Sequence, residues 1–281
     1  MRYTITILFL LGLHFTALAA LVWEPAGQSQ VVFADRPSVV RQDIRNDGDK
    51  AMAQAVRLRM IQLSTSTAAP VPGWELKKQV EVPAGQTLRT MVEVSLPKVT
   101  NPTRFRITWN DESDKVMGST DLVGCPADLF QPLRLVSTKR PIGLLGDSGG
   151  LATLLRQQGC ELRELSSVEE LKNFDGSVLL VAWAGRGKEE LENFGRLAAQ
   201  HAKDRGGRVV WLVEPDNLPL SPVPAVCVFT HGEGTVVVST GIKLAEAAQS
   251  PLIQLRLVWL VELALATEEN RLLLLGRLMN L

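Results

Sequence analysis

The residues best suited to chemistry stand together at Gly146-Asp147-Ser148-Gly149-Gly150. A short apolar run from Pro141 to Leu145 precedes them, and an amphipathic run from Leu151 to Gln158 follows. That pattern predicts a strand, a glycine-rich turn and a helix. Such a turn can present a serine hydroxyl as a nucleophile. It can hold an anion on the free N–H groups of a helix N-terminus. It can also do no more than cap the helix through Asp147 or Ser148. A nucleophilic Ser148 needs a base, and the histidine in the late turn His231-Gly232-Glu233-Gly234 is the candidate. A second glycine-rich segment, Ala184-Gly185-Arg186-Gly187, follows Trp183. The candidate ligand set is therefore Gly146, Asp147, Ser148, Gly149, Gly150 and Trp183, with Ser148 and His231 as the catalytic alternative. The turn lacks Gly-x-Gly-x-x-Gly, and no Lys-Ser/Thr pair follows it. Neither a dinucleotide fingerprint nor a P-loop is present, and no cofactor is expected.

The elements that must position these residues alternate. Ile142–Leu145 is read as a first strand, and Gly159 stops the helix after it. Cys160–Leu165 is a second strand. Ser167 with Glu170 three residues on forms a capping box for a short helix. Ser177–Trp183 is a continuous apolar run, as buried parallel strands are. Lys188–Lys203 reads as a helix with Leu191, Phe194, Leu197 and Ala198 on one face, ended by Gly206-Gly207. Arg208–Val213 is a fourth strand. Val226–Phe229 and Thr235–Ser239 flank the His231 turn as a hairpin. Pro251–Leu265 is a closing helix, and 268–281 is a helical tail with Leu272, Leu275 and Met279 on one side, expected to dock on its own domain. This alternation predicts a three-layer α/β domain over 141–267 with a mainly parallel sheet.

Residues 21–120 read as all-β. In Ala51–Leu63, Gln54, Val56, Leu58 and Met60 lie on one face and Ala53, Ala55, Arg57, Arg59 and Ile61 on the other, the period of a half-buried strand. Further runs are Val31–Phe33, Gln79–Val82, Leu88–Leu96 and Arg104–Trp109. Asn46-Asp47-Gly48-Asp49, Pro83-Ala84-Gly85-Gln86 and Asn110–Asp114 are turns. Short strands about every ten residues predict a β-sandwich. Residues 121–140, rich in proline and weakly periodic, read as a linker. The fold class is thus multidomain β plus α/β.

Residues 1–20 read as a signal peptide. Arg2 leads an apolar stretch, and Ala17-Leu18-Ala19 has the small-x-small form of a cleavage site. The alternative is an uncleaved anchor, since the run extended through Leu21, Val22 and Trp23 is about 19 residues, near the lower limit of a span. Either way the body of the protein is expected to be secreted, periplasmic or anchored facing outward. The 30 Lys+Arg residues balance 30 Asp+Glu, so there is no basic field for nucleic acid, and membrane contact is expected only through an uncleaved N-terminus. Cys125, Cys160 and Cys227 are too few for a disulfide-built fold. One pair is open to oxidation after export, and Cys160 and Cys227, opening apolar strands, read as buried small hydrophobes. No metal-ligand spacing occurs. Trp74, Trp109 and Trp183 are the aromatics considered for sugar rings.

Four family comparisons follow from these residues. Gly146–Gly150 matches the serine loop of trypsin-like proteases, which need a histidine before the serine; only His14, in the signal, precedes it. Gly146-Asp147-Ser148 after a first strand resembles SGNH esterases. Their oxyanion asparagine block is missing at Ala184–Gly187, and Val228 stands where their late Asp-x-x-His needs aspartate before His231. The N-terminal half resembles the immunoglobulin-like domains of bacterial extracellular proteins through its Asn-Asp-Gly and Val-Pro-Ala-Gly-Gln turns. Residues 141–265 resemble the class I glutamine amidotransferase-like superfamily of flavodoxin-type domains. This likeness rests on Gly206-Gly207 before Arg208–Leu212, on Gly232-Glu233-Gly234 before a strand, and on Pro251 near the start of the last long helix. His231-Gly232-Glu233 mimics that family's late His-x-Glu pair, but no cysteine nucleophile follows Val213 or Trp183. The resemblance implies a non-catalytic domain of the kind attached to secreted sugar-processing enzymes. It points to an exported interaction or scaffold protein of the cell envelope, with an envelope protein or a glycan as partner. The alternative is an exported serine hydrolase using Ser148.

Overall fold

The computed structural model describes residues 21–24, 29–146, 150–183, 188–213 and 226–279. Residues 1–20, read from the sequence as a signal peptide, and Asp147, Ser148 and Gly149 lie outside them. The first half builds two sheets. Strands β1 (Leu21–Trp23), β3 (Ser38–Asn46) and β6 (Thr87–Val94) form one, in the order β1-β3-β6. Strands β2 (Gln30–Phe33), β4 (Met52–Leu63), β5 (Ala68–Val82), β7 (Thr103–Asn110) and β8 (Val116–Cys125) form the other, in the order β2-β8-β7-β4-β5. Both sheets contribute to one apolar core, with Val40, Ile44, Val92 and Val94 from the first and Val56, Leu58, Met60, Phe105, Ile107 and Trp109 from the second. The buried set on β4 is the face that alternation marks. Leu21–Trp23 pair with β3, and Trp23 packs on Trp109 with ring centroids 5.2 Å apart. These three residues therefore belong to the fold, which shortens the apolar run available to an anchor. Among the described residues no helix is long and apolar enough to cross a membrane.

Three strands of this half exceed or escape the sequence pattern. On β3 the inward positions are Val40, Gln42 and Ile44, so a polar residue interrupts the alternation. On β8 the inward Gly118 and Gly124 leave no room for a side chain beside Trp23 and Phe105, and Thr120 lies between them. Strand β5 runs fifteen residues through Pro70, Pro72 and Gly73. Proline is tolerated there because β5 is an edge strand, paired only with β4.

The segment read as a linker is structured. Strand β8 continues to Cys125, and helix α1 (Gln131–Ser137) follows. Phe130 and Leu133 are fully buried in the core of the second half. Ser137 Oγ accepts from the Glu161 backbone N–H at 3.0 Å. The low periodicity reflects a helix of under two turns, too short to show a face.

The second half contains one six-stranded sheet, ordered β10-β9-β11-β12-β14-β13. Its strands are β9 (Ile142–Leu145), β10 (Leu162–Leu165), β11 (Val178–Trp183), β12 (Arg208–Val213), β13 (Val226–His231) and β14 (Gly234–Thr240). All neighbours are parallel except the β13–β14 hairpin. Helices α2 (Leu151–Gln157), α5 (Pro251–Leu265) and α6 (Glu268–Met279) share a core with α1 on one face. Helices α3 (Val168–Lys172) and α4 (Lys188–Arg205) cover the other. The chain is thus multidomain β plus α/β. The capping box is present: Ser167 accepts from Glu170 N at 3.1 Å, and Glu170 accepts from Ser167 N at 3.2 Å. Helix α6 docks on its own half through Leu274, Leu275 and buried Leu278. Leu272, assigned to the inward side by sequence, is 77% exposed, because the docking row is set by contact with α5 rather than by the count of leucines.

A small cluster joins the halves. Phe33, Val123, Cys125, Leu129 and Leu255 are buried together, with Leu252 and Trp259 of α5 beside them. Burying such side chains contributes about 1.5–3 kcal/mol each.

Candidate functional site

Strand β9 lies between β10 and β11, so the chain leaves it to one side and returns on the other. Open α/β sheets bind ligands at that switch point, beyond the carboxyl ends of the strands. Gly146 sits there. Its φ is +97°, and a Cβ would lie 2.3 Å from the Ala182 carbonyl oxygen. Both facts demand glycine. Gly150 also has φ +97° and occupies the N-cap of α2, with no side-chain capping bond. The N-cap position, expected at Asp147 or Ser148, thus falls on Gly150. Trp183 ends β11 beside Gly146, its backbone in register with Val213. The structure thus brings Gly146, Gly150 and the backbone of Trp183 to one end of the sheet.

His231 is at the other end. Leu145 is level with Val181, Trp211, Val238 and Cys227 in turn across the sheet. Four strand spacings of about 4.8 Å and five residues at about 3.3 Å then separate Gly146 from His231 by about 25 Å. Ser148 is two residues from Gly146, a reach of about 7 Å at full extension. Gly146 and His231 thus stand at opposite ends of the sheet, and Ser148 itself lies outside the described residues. His231 is exposed, and its neighbours have a packing role. A Cβ on Gly234 would lie 2.2 Å from the Ala202 carbonyl oxygen of α4, and Arg208 Nη1 donates to the Glu233 carbonyl at 2.7 Å. The glycines of this turn let the hairpin rest on the C-terminal end of α4.

The two buried thiols, Cys125 and Cys160, are not poised as nucleophiles. All three cysteines are free. Burial pushes Cys125 up to about 12 and raises Cys160 as well, so neither supplies a thiolate near neutrality. Cys227, expected inside, is exposed. It lies on the outermost strand β13, on the same face as Phe229, which is also exposed. Among those residues no group of three His, Cys, Asp or Glu is placed to hold a metal.

The tryptophans divide clearly. Trp109 is 0% exposed and donates to Thr120 Oγ1 at 3.0 Å, which removes it as a sugar platform. Trp74 is half-buried against the β core. Trp259, missed by the sequence reading, is half-buried on α5 and faces a cavity between the halves. The one available signal was a lone aromatic in a helix otherwise rich in leucine and valine.

No protein-family model and no curated protein matches the chain. Among solved structures, a β-glucosidase from Listeria innocua in complex with glucose aligns over 39% of this chain at 16% identity and a TM-score of 0.29. The Bifidobacterium adolescentis GH3 β-glucosidase aligns over 38% at 9% identity and 0.27. A Kluyveromyces marxianus β-glucosidase aligns over 38% at 11% identity and 0.27. The alignments span 16%, 17% and 14% of those chains respectively. Likeness at that level carries no functional argument.

Proposed function

We propose that this protein is an exported interaction or scaffold protein of the cell envelope, secreted or periplasmic, that runs no reaction of its own. The observation that carries the reading is the separation of Gly146 from His231 by the breadth and length of the sheet. A serine nucleophile served by His231 would need that histidine within hydrogen-bond reach. The two buried thiols offer no substitute. In finer terms, we read the first half as an immunoglobulin-like β-sandwich, a reading supported by two sheets sharing one core. We read the second as a three-layer, flavodoxin-type domain of the amidotransferase-like kind without its cysteine. Helices on both faces of a mostly parallel sheet support it.

The test is labelling of the protein from residue 21 onward with a fluorophosphonate probe, with Ser148→Ala alongside and folding checked by circular dichroism. The expected result is no labelling, together with retention of a partner from an envelope extract. Labelling that disappears in Ser148→Ala would make the protein an exported serine hydrolase instead.

A further inference from the structure

A cavity of about 830 Å³ lies between the two halves. Its β wall is a row across three strands: Leu63 on β4 is level with Arg104 on β7, which is level with Val123 on β8. Phe105 and Leu122, the next residues along, point into the β core, so this row faces the opposite way, toward α5. Trp259 of α5 forms the other wall. Thr65 and Asn101 complete the polar rim, while Gln62, level with Phe105, borders the cavity from the other face of β4. Gln62, Thr65, Asn101 and Arg104 are all exposed. None of their side chains has a hydrogen-bond or ion-pair partner among the described residues. The Thr103 hydroxyl is already committed to the Asn101 carbonyl at 2.8 Å.

We infer that this cleft binds an oligosaccharide. Sugar rings present an apolar C–H face and a rim of hydroxyls that both donate and accept. An indole ring matches the first. A free carboxamide, a hydroxyl and a guanidinium match the second. The volume lies in the range of small-molecule sites. Other ligand classes fit worse. A phosphorylated ligand would call for more than the single cation, Arg104. An extended peptide would need a free strand edge for its backbone. Strands β4, β7 and β8 are all interior to their sheet, in the order β2-β8-β7-β4-β5. The inference names a ligand class for the interaction protein proposed above and rests on that reading.

The experiment is isothermal titration of the protein from residue 21 onward with cellotetraose, chitotetraose and tetragalacturonate. Tryptophan fluorescence is followed in parallel. At least one of the three binds and perturbs the fluorescence. Trp259→Ala weakens that binding about tenfold, the scale of one aromatic ring contact. Because Trp259 also packs on the joining cluster, Asn101→Ala/Arg104→Ala serves as the second variant. Both positions are exposed, so folding is retained, and binding weakens several-fold. Preference for the galacturonate that is lost with Arg104 identifies an acidic sugar. Absence of binding by all three probes overturns the inference, as does binding that both variants leave intact. Neither result touches the scaffold reading, which falls only to serine-dependent probe labelling.

Discussion

Along β9, β11 and β12 every buried side chain is apolar, with Ile142, Leu144, Leu180, Val210 and Leu212 against α2 and α5. The β half is built differently. Trp109 Nε1 donates to Thr120 Oγ1 at 3.0 Å, and Thr120 Oγ1 donates to Gln42 Oε1 at 2.6 Å. Gln42 Nε2 donates to the Glu24 and Asp43 carbonyls at 2.6 and 3.0 Å. Gln42 is 2% exposed and Thr120 0%. This chain of bonds crosses from β3 in one sheet to β7 and β8 in the other, so it fixes how the sheets meet as well as how strongly. Asn46, also fully buried, donates to the Lys50, Val82 and Pro83 carbonyls and accepts from Gly48 N–H. A dry core tolerates apolar exchange of similar volume. A buried polar chain tolerates little, because each broken bond leaves a desolvated group behind.

The largest effect is expected in the dry core. Leu257 is fully buried on α5, and Leu257→Ala should cost about 3 kcal/mol in urea unfolding, from lost transfer energy plus a residual cavity. Next comes the polar chain. Gln42→Leu conserves bulk but leaves the Thr120 hydroxyl proton without its acceptor and the Glu24 carbonyl without its Gln42 donor, while the Asp43 carbonyl keeps the Glu24 N–H at 3.0 Å, at about 2 kcal/mol. Adding Thr120→Val should cost less than the sum of the single changes, because the stranded hydroxyl is gone. Additive costs, or a neutral Gln42→Leu, would break the contrast between the halves.

The smallest effect is a pH dependence in the second half. His201 on α4 is 8% exposed and lies against Phe174, ring centroids 6.0 Å apart. Burial, and then the nearby Arg205 charge, hold it below its usual 6.5. As pH falls through 6.5 the unfolded chain takes up the proton first. Stability should therefore decline below that pH until the folded histidine also titrates. Melting temperatures measured from pH 7 to 5 should fall, and His201→Gln should remove that part of the fall. An unchanged slope in the variant would assign the dependence to other groups.

The same contrast explains which elements could be read from the chain. Val178–Trp183 and Arg208–Val213 stood out because dry parallel strands are uninterrupted apolar runs. Strands β3 and β8 did not, because Gln42 and Thr120 occupy inward positions that the pattern reserves for apolar residues. The β5 prolines hid an edge strand, and α1 was too short to show a face. At the candidate site, Gly146 and Trp183 each follow or end a legible strand, so their neighbourhood could be anticipated. The distance to His231 could not, because it depends on strand order.

What the chain determined by itself was local: where the α/β strands and helices run, the capping box at Ser167, the turn at Gly146 and the hairpin at His231. Periodicity, caps and glycines act within a few residues, so they can be read in one dimension. The tertiary structure alone decided which end of the sheet each turn occupies, that Cys227 faces outward, that Gln42 lies inside, and that Trp259 faces Arg104 across a cleft. Those outcomes depend on strand order and on contacts between residues as far apart as 104 and 259. No local pattern encodes them, because the free energy that selects them belongs to the packed whole.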